Sequence, residues 1–371
     1  MQPYIPQTLP ISGIAWETLI PVMGQANRQL AEYNGVLYTM PNPELLLAPF
    51  TTQEAVLSSR IEGTQATLGE VLRFEAGEQP ELESRRLDIQ EIMNYRTALR
   101  VAEAELETRP FNLNLLLRLH EILLDSVRGR NKARGRFRVE QNWIGAPGSS
   151  IEEAQFVPPA PGTILTAALN NWEVYYHMDR PDPLVQLAVV HAQFETLHPF
   201  LDGNGRLGRI LIPLFLYEKK MLSRPMFYLS EYIERNRETY IERLRMLGKS
   251  DSAWNDWIRF FLMGIVEQSR ANVAKARQIQ ALYDDLKRKI LALTHSQFAV
   301  PLLDHMFEQP IFRSSRFVEL QNMPSRPMIL NMLGRLKNAG ILKVIQEPRG
   351  PHAQVLALAE LVNLCEGKEV I

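Results

Sequence analysis

The chain has 371 residues, of which 41 are Lys or Arg and 42 are Asp or Glu, so its formal charge nearly cancels at −1. This length is typical of two or three domains, and 46% hydrophobic and 22% charged residues are ordinary for a globular protein. The single cysteine, Cys365, excludes a framework of intramolecular disulfides. The balanced charge does not favour a dedicated nucleic-acid-binding protein.

Targeting and membrane signals are missing from the sequence pattern. The N-terminal residues contain neither the basic region nor the apolar core of a secretory signal. The most apolar short run, 210–217, includes Pro213 and is far shorter than the roughly 18 residues that a membrane span needs. We therefore expect a cytoplasmic protein without a membrane partner.

Helical periodicity dominates the chain up to about residue 294. Capping boxes at Thr51–Glu54 and Thr67–Glu70 predict two helix starts, because the Thr hydroxyl and the Glu carboxylate each satisfy a free amide. The predicted helices are about 52–63, one from Thr67, 85–106, 112–127, 164–177, 184–197, 206–219, 234–247 and 253–293. Residues 135–160 interrupt them with Gly, Pro and the β-like runs 137–139 and 142–144, a pattern typical of a hairpin or ordered flap.

The last part of the chain, 295–371, has the pattern of a small separate domain that follows a connecting helix at 265–294. Helices near 296–307 and 314–321 precede a third that Pro327 opens and Gly340 follows. Two predicted strands, 341–345 and 354–358, then flank a turn at 347–351. Helices followed by a strand pair are the order of a winged helix.

This C-terminal segment also raises the question of DNA binding. Arg326, Arg335, Lys337 and Arg349 could reach phosphates. From Val300 onward, however, eight Lys and Arg face seven Asp and Glu, whereas a DNA-reading domain usually carries a clearly basic face. The charge balance favours an architectural, dimerising or protein-recruiting role over DNA binding.

The segment from His198 to Arg209 combines residues that suit phosphate chemistry. Pro199 disfavours helical geometry at His198, so this histidine is expected at a helix end. Gly203 and Gly205 allow a ligand to approach the backbone just before a helix N-terminus, which favours anions. Histidine can accept a proton near neutral pH.

Charged side chains complete this predicted site. Arg206 and Arg209 are three residues apart and therefore share one face of the following helix, where two guanidinium groups suit a polyphosphate. Asp202 supplies a hard oxygen ligand, suited to Mg²⁺ that is held jointly with phosphates. Together with His198, these residues indicate transfer of a phosphate-containing group to a hydroxyl.

The same segment resembles the Fic family (filamentation induced by cyclic AMP), whose pattern is His-Pro-Phe-x-Asp/Glu-Gly-Asn-Gly-Arg-x-x-Arg. Residues 198–209 fit it at every fixed position, and the resemblance extends from Ala48 to about Gly264. It implies a mainly α fold, with a Fic helical core and a β-hairpin flap ahead of the winged-helix-like domain. It also implies AMPylation, the transfer of AMP from ATP to a Ser, Thr or Tyr hydroxyl of a target protein, including the enzyme itself.

The resemblance further implies a role for each matched residue. His198 would deprotonate the target hydroxyl, Asp202 would bind Mg²⁺, and Phe200 would be structural. Tyr240 resembles an aromatic residue that borders adenine. The other implied ATP-binding residues are Gly203, Asn204, Gly205, Arg206, Leu207, Gly208 and Arg209. The target would dock as an extended strand on the flap at Asn142, Trp143, Ile144 and Gly145.

A second resemblance concerns regulation. Ser58, Glu62 and Gly63 match the family's inhibitory motif, Ser/Thr-x-x-x-Glu-Gly/Asn, in the class whose inhibitory helix lies N-terminal to the core. The resemblance implies that Glu62 pairs with Arg209 and displaces the γ-phosphate. We thus expect an N-terminal helical region at 1–110 that carries the inhibitory helix, and a catalytic core at 111–264.

Several alternatives stay open at this point. Glu195 and His198 have the Glu-x-x-His spacing of di-iron bundles, but none of the other six histidines has a Glu three residues before it. His191 and His198 could share a helix face as zinc ligands, although His191 is expected to be structural. Other functional hypotheses are removal of AMP, a different Fic-type phosphate-group transfer, and DNA-binding regulation. A homodimer is compatible with each.

Overall fold

The computed structural model describes residues 2–125, 132–146, 148–250, 252–318, 320, 323–348 and 353–371. The fold is mainly α, with 63% of the described residues in helices. The helices are α1 Trp16–Thr39, α2 Pro43–Leu46, α3 Ala48–Ile61, α4 Leu68–Glu75, α5 Glu83–Leu106, α6 Leu113–Leu123, α7 Thr163–His177, α8 Pro183–Leu197, α9 Asn204–Glu218, α10 Ser230–Arg235, α11 Arg237–Met246, α12 Ala253–Thr294, α13 Ala299–Glu308, α14 Arg326–Asn338 and α15 Ala359–Glu366. The strands are β1 Ile311–Arg313, β2 Lys343–Gln346 and β3 Val355–Ala357, and Arg316–Val318 forms a 3₁₀ turn.

One compact unit comprises Met1–Gly35, Leu57–Gly63 and Met93–Arg270. Its centre is α8, in which apolar residues occur on all sides, so that nearly every side chain is buried. Helices α7 and α9 pack against α8. Since α8 ends at Leu197 and α9 begins at Asn204, the unit's most buried helices position the intervening loop.

The second compact unit comprises Val36–Val56, Thr64–Ile92 and Ala271–Ile371. Its antiparallel sheet has the order β1-β3-β2, and Ala357 lies opposite both Ile311 and Lys343. The sheet lies against α4: Arg313 of β1 donates hydrogen bonds to the carbonyl oxygens of Ala76 and Gly77 at 2.7 and 2.8 Å.

The structure confirms most predicted helices and corrects some details. The capping box at Thr67 is present, with the amide of Glu70 on the Thr67 hydroxyl. The box predicted at Thr51 is wrong, because α3 already begins at Ala48 and the Thr51 hydroxyl donates to the carbonyl of Leu47. The predicted helix at 234–247 is two helices, α10 and α11.

Other elements also differ from the sequence prediction. Helices α1, α2 and α15 and strand β1 were not predicted, and the segment 314–321 contains a short 3₁₀ turn at Arg316–Val318. The end of the predicted helix 112–127, and the turn that contains Arg349, lie outside the described residues. None of the helices in the described ranges combines the length and apolarity that a membrane crossing needs.

Candidate active site

His198 occupies a strained position at the end of α8. It is the C-cap residue, with φ 44° and ψ 58°, a left-handed conformation that non-glycine residues adopt infrequently. Pro199 follows it and prevents the helix from continuing. Strained backbone of this kind is often found at functional sites. Burial lowers the pKa of His198 to about 4, although the charge of Glu62 partly offsets this effect, so the imidazole is neutral at physiological pH.

Hydrogen bonds from its own side chains to its own backbone hold the loop between α8 and α9 in shape. Asn204 accepts a hydrogen bond from the amide of Phe200 at 2.9 Å and donates one to the Phe200 carbonyl at 2.8 Å. Gly203 has φ 79°, and its amide donates to Asp202 Oδ1 at 2.6 Å. The Asn204 side chain therefore holds the loop in shape, and its contact with ATP stays a prediction.

Phe200 anchors the loop, as predicted, and its partner is a histidine that the sequence analysis missed. The ring of His120 stacks on Phe200 with centroids 3.8 Å apart and planes 12° apart. The amide of Gly135 donates to His120 Nδ1 at 3.0 Å, so Nε2 carries the proton and donates to the carbonyl of Asp202, also at 3.0 Å. Burial lowers the pKa of His120 to about 4, consistent with this neutral form.

Arg138 is a second residue that the sequence analysis missed. Its buried guanidinium donates hydrogen bonds to the carbonyls of Leu197, His198, Glu140 and Pro159, and its main-chain amide donates to that of Pro199 at 2.9 Å. The bond to His198 measures 2.9 Å and the one to Pro159 measures 2.5 Å. Arg138 thus ties the flap to the end of α8.

Arg209 is held by the N-terminal inhibitory motif. Its Nη2 lies 2.7 Å from Glu62 Oε1 and 2.8 Å from the Ser58 carbonyl, and its Nε donates to Ser58 Oγ at 2.8 Å. Burial raises the pKa of Glu62, but the charge of Arg209 and its hydrogen bond outweigh burial and leave this pKa below its ordinary value. Gly205 makes room for the contact, since a Cβ there would lie 2.2 Å from Glu62 Oε1.

Asp202 and Arg206 form the adjacent polar edge of the site. Arg206 is buried at the start of α9, and its Nη2 lies 3.4 Å from Asp202 Oδ1. The Asp202 side chain is 42% exposed, so its carboxylate can reach a ligand. No cluster of three or more His, Cys, Asp or Glu suitable for a metal occurs in the described part of the chain. The accessible carboxylate of Asp202 fits Mg²⁺ that is held by one carboxylate together with phosphates, the usual arrangement for this ion.

A cavity of about 470 Å³ opens beside these groups. Glu62, His198, Gly205, Arg209 and Tyr240 are among its lining residues. Further lining residues are Ile61, Ile144, Gly145, Gln155, Phe156, Glu195, Thr196, Arg237, Ile241, Leu244 and Arg245. Three motif residues, His198, Gly205 and Arg209, thereby share one cavity with Glu62, the flap and α11. Asp202, Gly203, Asn204, Arg206 and Gly208 lie outside its lining. The Leu207 side chain is buried and does not line this cavity.

The flap contains less strand than the sequence predicts. A single β-bridge joins Ile144 and Phe156. The run 137–139 does not pair with it, because the amide of Arg138 bonds to Pro199. Of the four predicted docking residues, Ile144 and Gly145 line the cavity. Asn142 donates to the Phe200 carbonyl, and the Trp143 indole donates to that of Ser149, so both contribute to the flap's own structure.

Tyr240 is buried and also lines the cavity, and its contact with adenine stays a prediction. Its hydroxyl lies 2.9 Å from Nε2 of the buried His191, while the residue also lines the cavity. His191 Nδ1 lies 3.1 Å from the carbonyl of Gly208, which can only accept, so Nδ1 carries the proton. Burial lowers the pKa of His191 to about 3, so the ring is neutral and Nε2 accepts a hydrogen bond from the Tyr240 hydroxyl. His191 is structural, as predicted, and does not face His198 as a metal ligand.

Comparison with known proteins gives a consistent assignment. Residues 20–104 match the Fic/DOC family N-terminal domain and residues 110–216 match the Fic/DOC family domain. A probable protein adenylyltransferase of Aquifex aeolicus is 29% identical over 214 residues, which cover 54% of this chain and 58% of that protein. The protein adenylyltransferase Fic of Drosophila virilis is 30% identical over 132 residues, 34% of this chain and 24% of that protein. The chain thus spans little more than half of the first relative and a quarter of the second.

Solved structures share the fold. A Fic family protein from Desulfovibrio desulfuricans superposes with a TM-score of 0.58 at 20% identity, covering 96% of this chain and 98% of that one. Fic-1 from C. elegans gives a TM-score of 0.53 at 20% identity, covering 72% of this chain and 74% of that one. The two matched domains, the curated relatives and these folds agree with the motif at 198–209, and the chain belongs to the Fic/DOC family.

Proposed function

We propose that the chain is a protein adenylyltransferase that transfers AMP from ATP to a Ser, Thr or Tyr hydroxyl of a target protein. The observation that carries the proposal is the convergence of His198, the N-terminus of α9 and Arg209 on one cavity. In the reaction, the target oxygen forms a bond to the α-phosphorus, the bond to the bridging oxygen breaks, and pyrophosphate leaves. The hydroxyl proton passes to the neutral imidazole of His198.

The start of α9 supplies the groups for the phosphates. Its free amides and helix dipole favour anions, and Gly203 and Gly205 keep the backbone accessible. Arg206 lies beside Asp202, so that a phosphate could contact the guanidinium while the carboxylate holds Mg²⁺. When bound, Mg²⁺ would neutralise charge on the phosphates. Tyr240, Ile241 and Leu244, which also line the cavity, offer an apolar surface suited to a base.

We further propose that Glu62 restrains this activity. A carboxylate can take the place of a phosphate oxygen at a guanidinium, and Glu62 already occupies Arg209 at 2.7 Å. ATP would have to displace Glu62 before its γ-phosphate could reach Arg209. Ser58 supports the inhibited arrangement, because it binds the same guanidinium through both its hydroxyl and its carbonyl.

Other parts of the chain enter the proposal as predictions. The flap would receive an extended target segment next to Ile144 and Gly145, the two flap-tip residues that line the cavity. The division into a region at 1–110, a core at 111–264, a connecting helix at 265–294 and a domain at 295–371 stays a prediction. The C-terminal order of α13, β1, the 3₁₀ turn, α14, β2 and β3 supports a winged-helix-like domain. A dimerising or protein-recruiting role fits it better than DNA binding.

The decisive experiment is transfer from labelled ATP in a cell lysate. The variant Glu62→Gly should label a target band, and adding His198→Ala to the same chain should abolish the label. A band that persists in the double variant would overturn the assignment of the base. Intact-mass analysis of the labelled product separates AMP from phosphate transfer, because the two adducts differ widely in mass. Release of AMP from a pre-modified target in a Glu62-dependent manner would instead indicate hydrolytic removal of AMP, in which water breaks the bond between the target oxygen and the phosphorus.

A further inference from the structure

Glu195 is a buried carboxyl group that the proposed mechanism does not use. It lies on α8, one turn before His198, and lines the same cavity. Its side chain is only 10% exposed. One of its oxygens, Oε1, is buried and forms no hydrogen bond with any described residue. A buried polar atom without a hydrogen-bond partner carries a desolvation cost. The usual explanation is that a ligand or a water molecule supplies the missing hydrogen bond.

The neighbouring histidine does not supply the missing bond. His191 Nε2 lies 4.0 Å from Glu195 Oε1, too far for a hydrogen bond. The same nitrogen already accepts from the Tyr240 hydroxyl, as its other nitrogen donates to Gly208. Neutral His191 therefore offers Glu195 neither a proton nor a charge.

The position of Glu195 suits the nucleoside part of a nucleotide. Its Oε1 packs against Gly208, where a Cβ would lie only 2.2 Å away. Gly208 is three residues beyond Gly205, which places Glu195 about 4.5 Å along α9 from the phosphate-binding end. Through their common neighbour, His191, Glu195 lies close to Tyr240. A carboxylate repels phosphates but accepts hydrogen bonds from hydroxyl and amino groups.

We propose that Glu195 is a nucleotide-contacting residue, whose unpartnered oxygen accepts a hydrogen bond from a hydroxyl or amino group of the nucleoside. The inference rests on the proposed function, since it places ATP in this cavity. It adds a specificity determinant, because a nucleotide without the matching donor would leave a buried acceptor unsatisfied. Sites that hydrogen-bond a substrate group reject analogues that lack that group far more strongly than apolar pockets do.

The electrostatics support this role. Burial raises the pKa of Glu195 to about 7, with Arg209 lowering it and the charge of Glu62 raising it. The other titratable groups that face it are His191, which is neutral, and Tyr240, whose pKa burial raises well above its ordinary value. A donor from the ligand would favour the ionised form of Glu195, so nucleotide affinity should increase as the pH rises through about 7.

The test is direct binding of ATP, 2′-deoxy-ATP, 3′-deoxy-ATP and purine riboside triphosphate by calorimetry. It compares the full chain carrying Glu62→Gly with the same chain also carrying Glu195→Ala or Glu195→Gln. One analogue should bind the Glu62→Gly chain roughly ten- to a hundredfold more weakly than ATP, and this loss should vanish in Glu195→Ala. The analogue concerned identifies the donor as the 2′-hydroxyl, the 3′-hydroxyl or the 6-amino group.

Inorganic tripolyphosphate provides the control, since it lacks every nucleoside donor. Its affinity should be unchanged by either Glu195 substitution, and thermal unfolding should show that both variants are folded. Two results would overturn this inference while leaving the proposed function intact. In the first, substituting Glu195 weakens the binding of ATP and of every analogue by the same factor. In the second, the affinity ratio between ATP and each analogue is the same with and without Glu195. If the Glu62→Gly chain binds no ATP at all, the proposed function fails first and this inference fails with it.

Discussion

The carboxylate of Glu62 meets the guanidinium of Arg209 at 2.7 Å directly over Gly205, where any Cβ would collide with it. The contact that we propose to be inhibitory therefore depends on Gly205 as well as on its two charged partners. Ser58 adds two hydrogen bonds to the same guanidinium, so that a segment from the N-terminal part of the chain satisfies a buried cation of the core. The proposed inhibition can therefore be tested by removing the Glu62 carboxylate and the Ser58 hydroxyl separately.

Glu62→Gly should increase self-AMPylation by at least roughly tenfold, because a charge-assisted hydrogen bond contributes about 1.5–3 kcal/mol and each 1.4 kcal/mol is a factor of ten. Ser58→Ala should give a smaller increase, since the carbonyl of Ser58 still binds Arg209. Incorporation of label from ATP measures both. Arg60→Ala, on the same helix but outside these contacts, serves as the matched control. Equal labelling of the wild type and Glu62→Gly would contradict autoinhibition.

Gly205→Ala should destabilise the protein more strongly when Glu62 is present. The new methyl group would lie 2.2 Å from Glu62 Oε1, and overpacking of this kind costs about 1–3 kcal/mol. In a chain that also carries Glu62→Gly, the nearest atom to the new methyl group is Arg209 Nη1 at 2.9 Å, the end of a flexible side chain. Urea unfolding of the four chains in this double-mutant cycle measures the coupling. Additive effects would show that the two residues do not compete for space.

Arg138→Ala should lower the free energy of unfolding by about 3 kcal/mol and weaken target labelling. The substitution leaves the buried carbonyls of Leu197, His198 and Pro159 without their donor, and it frees the flap from the end of α8. Arg136→Ala removes an exposed arginine two residues away and provides the control. Unfolding in urea measures stability. A loss no larger than that of Arg136→Ala would show that Arg138 does not hold the flap.

Features that depend on neighbouring residues could be predicted from the sequence, whereas contacts between distant segments could not. Residues 198–209 form a contiguous motif, so its helix–loop–helix form could be predicted from proline, glycine and charge spacing alone. The partners that position this loop, Arg138 and His120, come from distant segments and belong to no local pattern. A weak signal did exist for His120, which continues the apolar face of α6 beside Leu116 and Leu119. A histidine on an apolar face needs polar partners, but the sequence does not say which ones.

The flap illustrates the opposite case, in which a local pattern predicted too much. Its β-like runs suggested a hairpin, yet tertiary hydrogen bonds take the place of a strand ladder. The amide of Arg138 bonds to Pro199, and the Asn142 side chain bonds to Phe200. Strand propensity reflects how well a residue suits a pleated surface. It does not produce a strand where the backbone forms hydrogen bonds with another part of the fold.

Acid should destabilise the protein through its neutral buried histidines. His120 has a pKa of about 4 in the folded chain against an ordinary value of 6.5, so the unfolded chain binds more protons as the pH falls below 6.5. The stability due to the neutral form is therefore present above pH 6.5 and is lost towards pH 4, by about 2 kcal/mol at pH 5.

The variant His120→Asn, which retains an acceptor for the Gly135 amide, tests this prediction. It should be less stable than the wild type at pH 7.5, but its free energy of unfolding should fall by about 2 kcal/mol less between pH 7.5 and 5. His177→Gln, at an exposed position, should keep the wild-type pH dependence. If urea unfolding shows the same acid loss for His120→Asn as for the wild type, then His120 is not held neutral between Asp202 and Gly135.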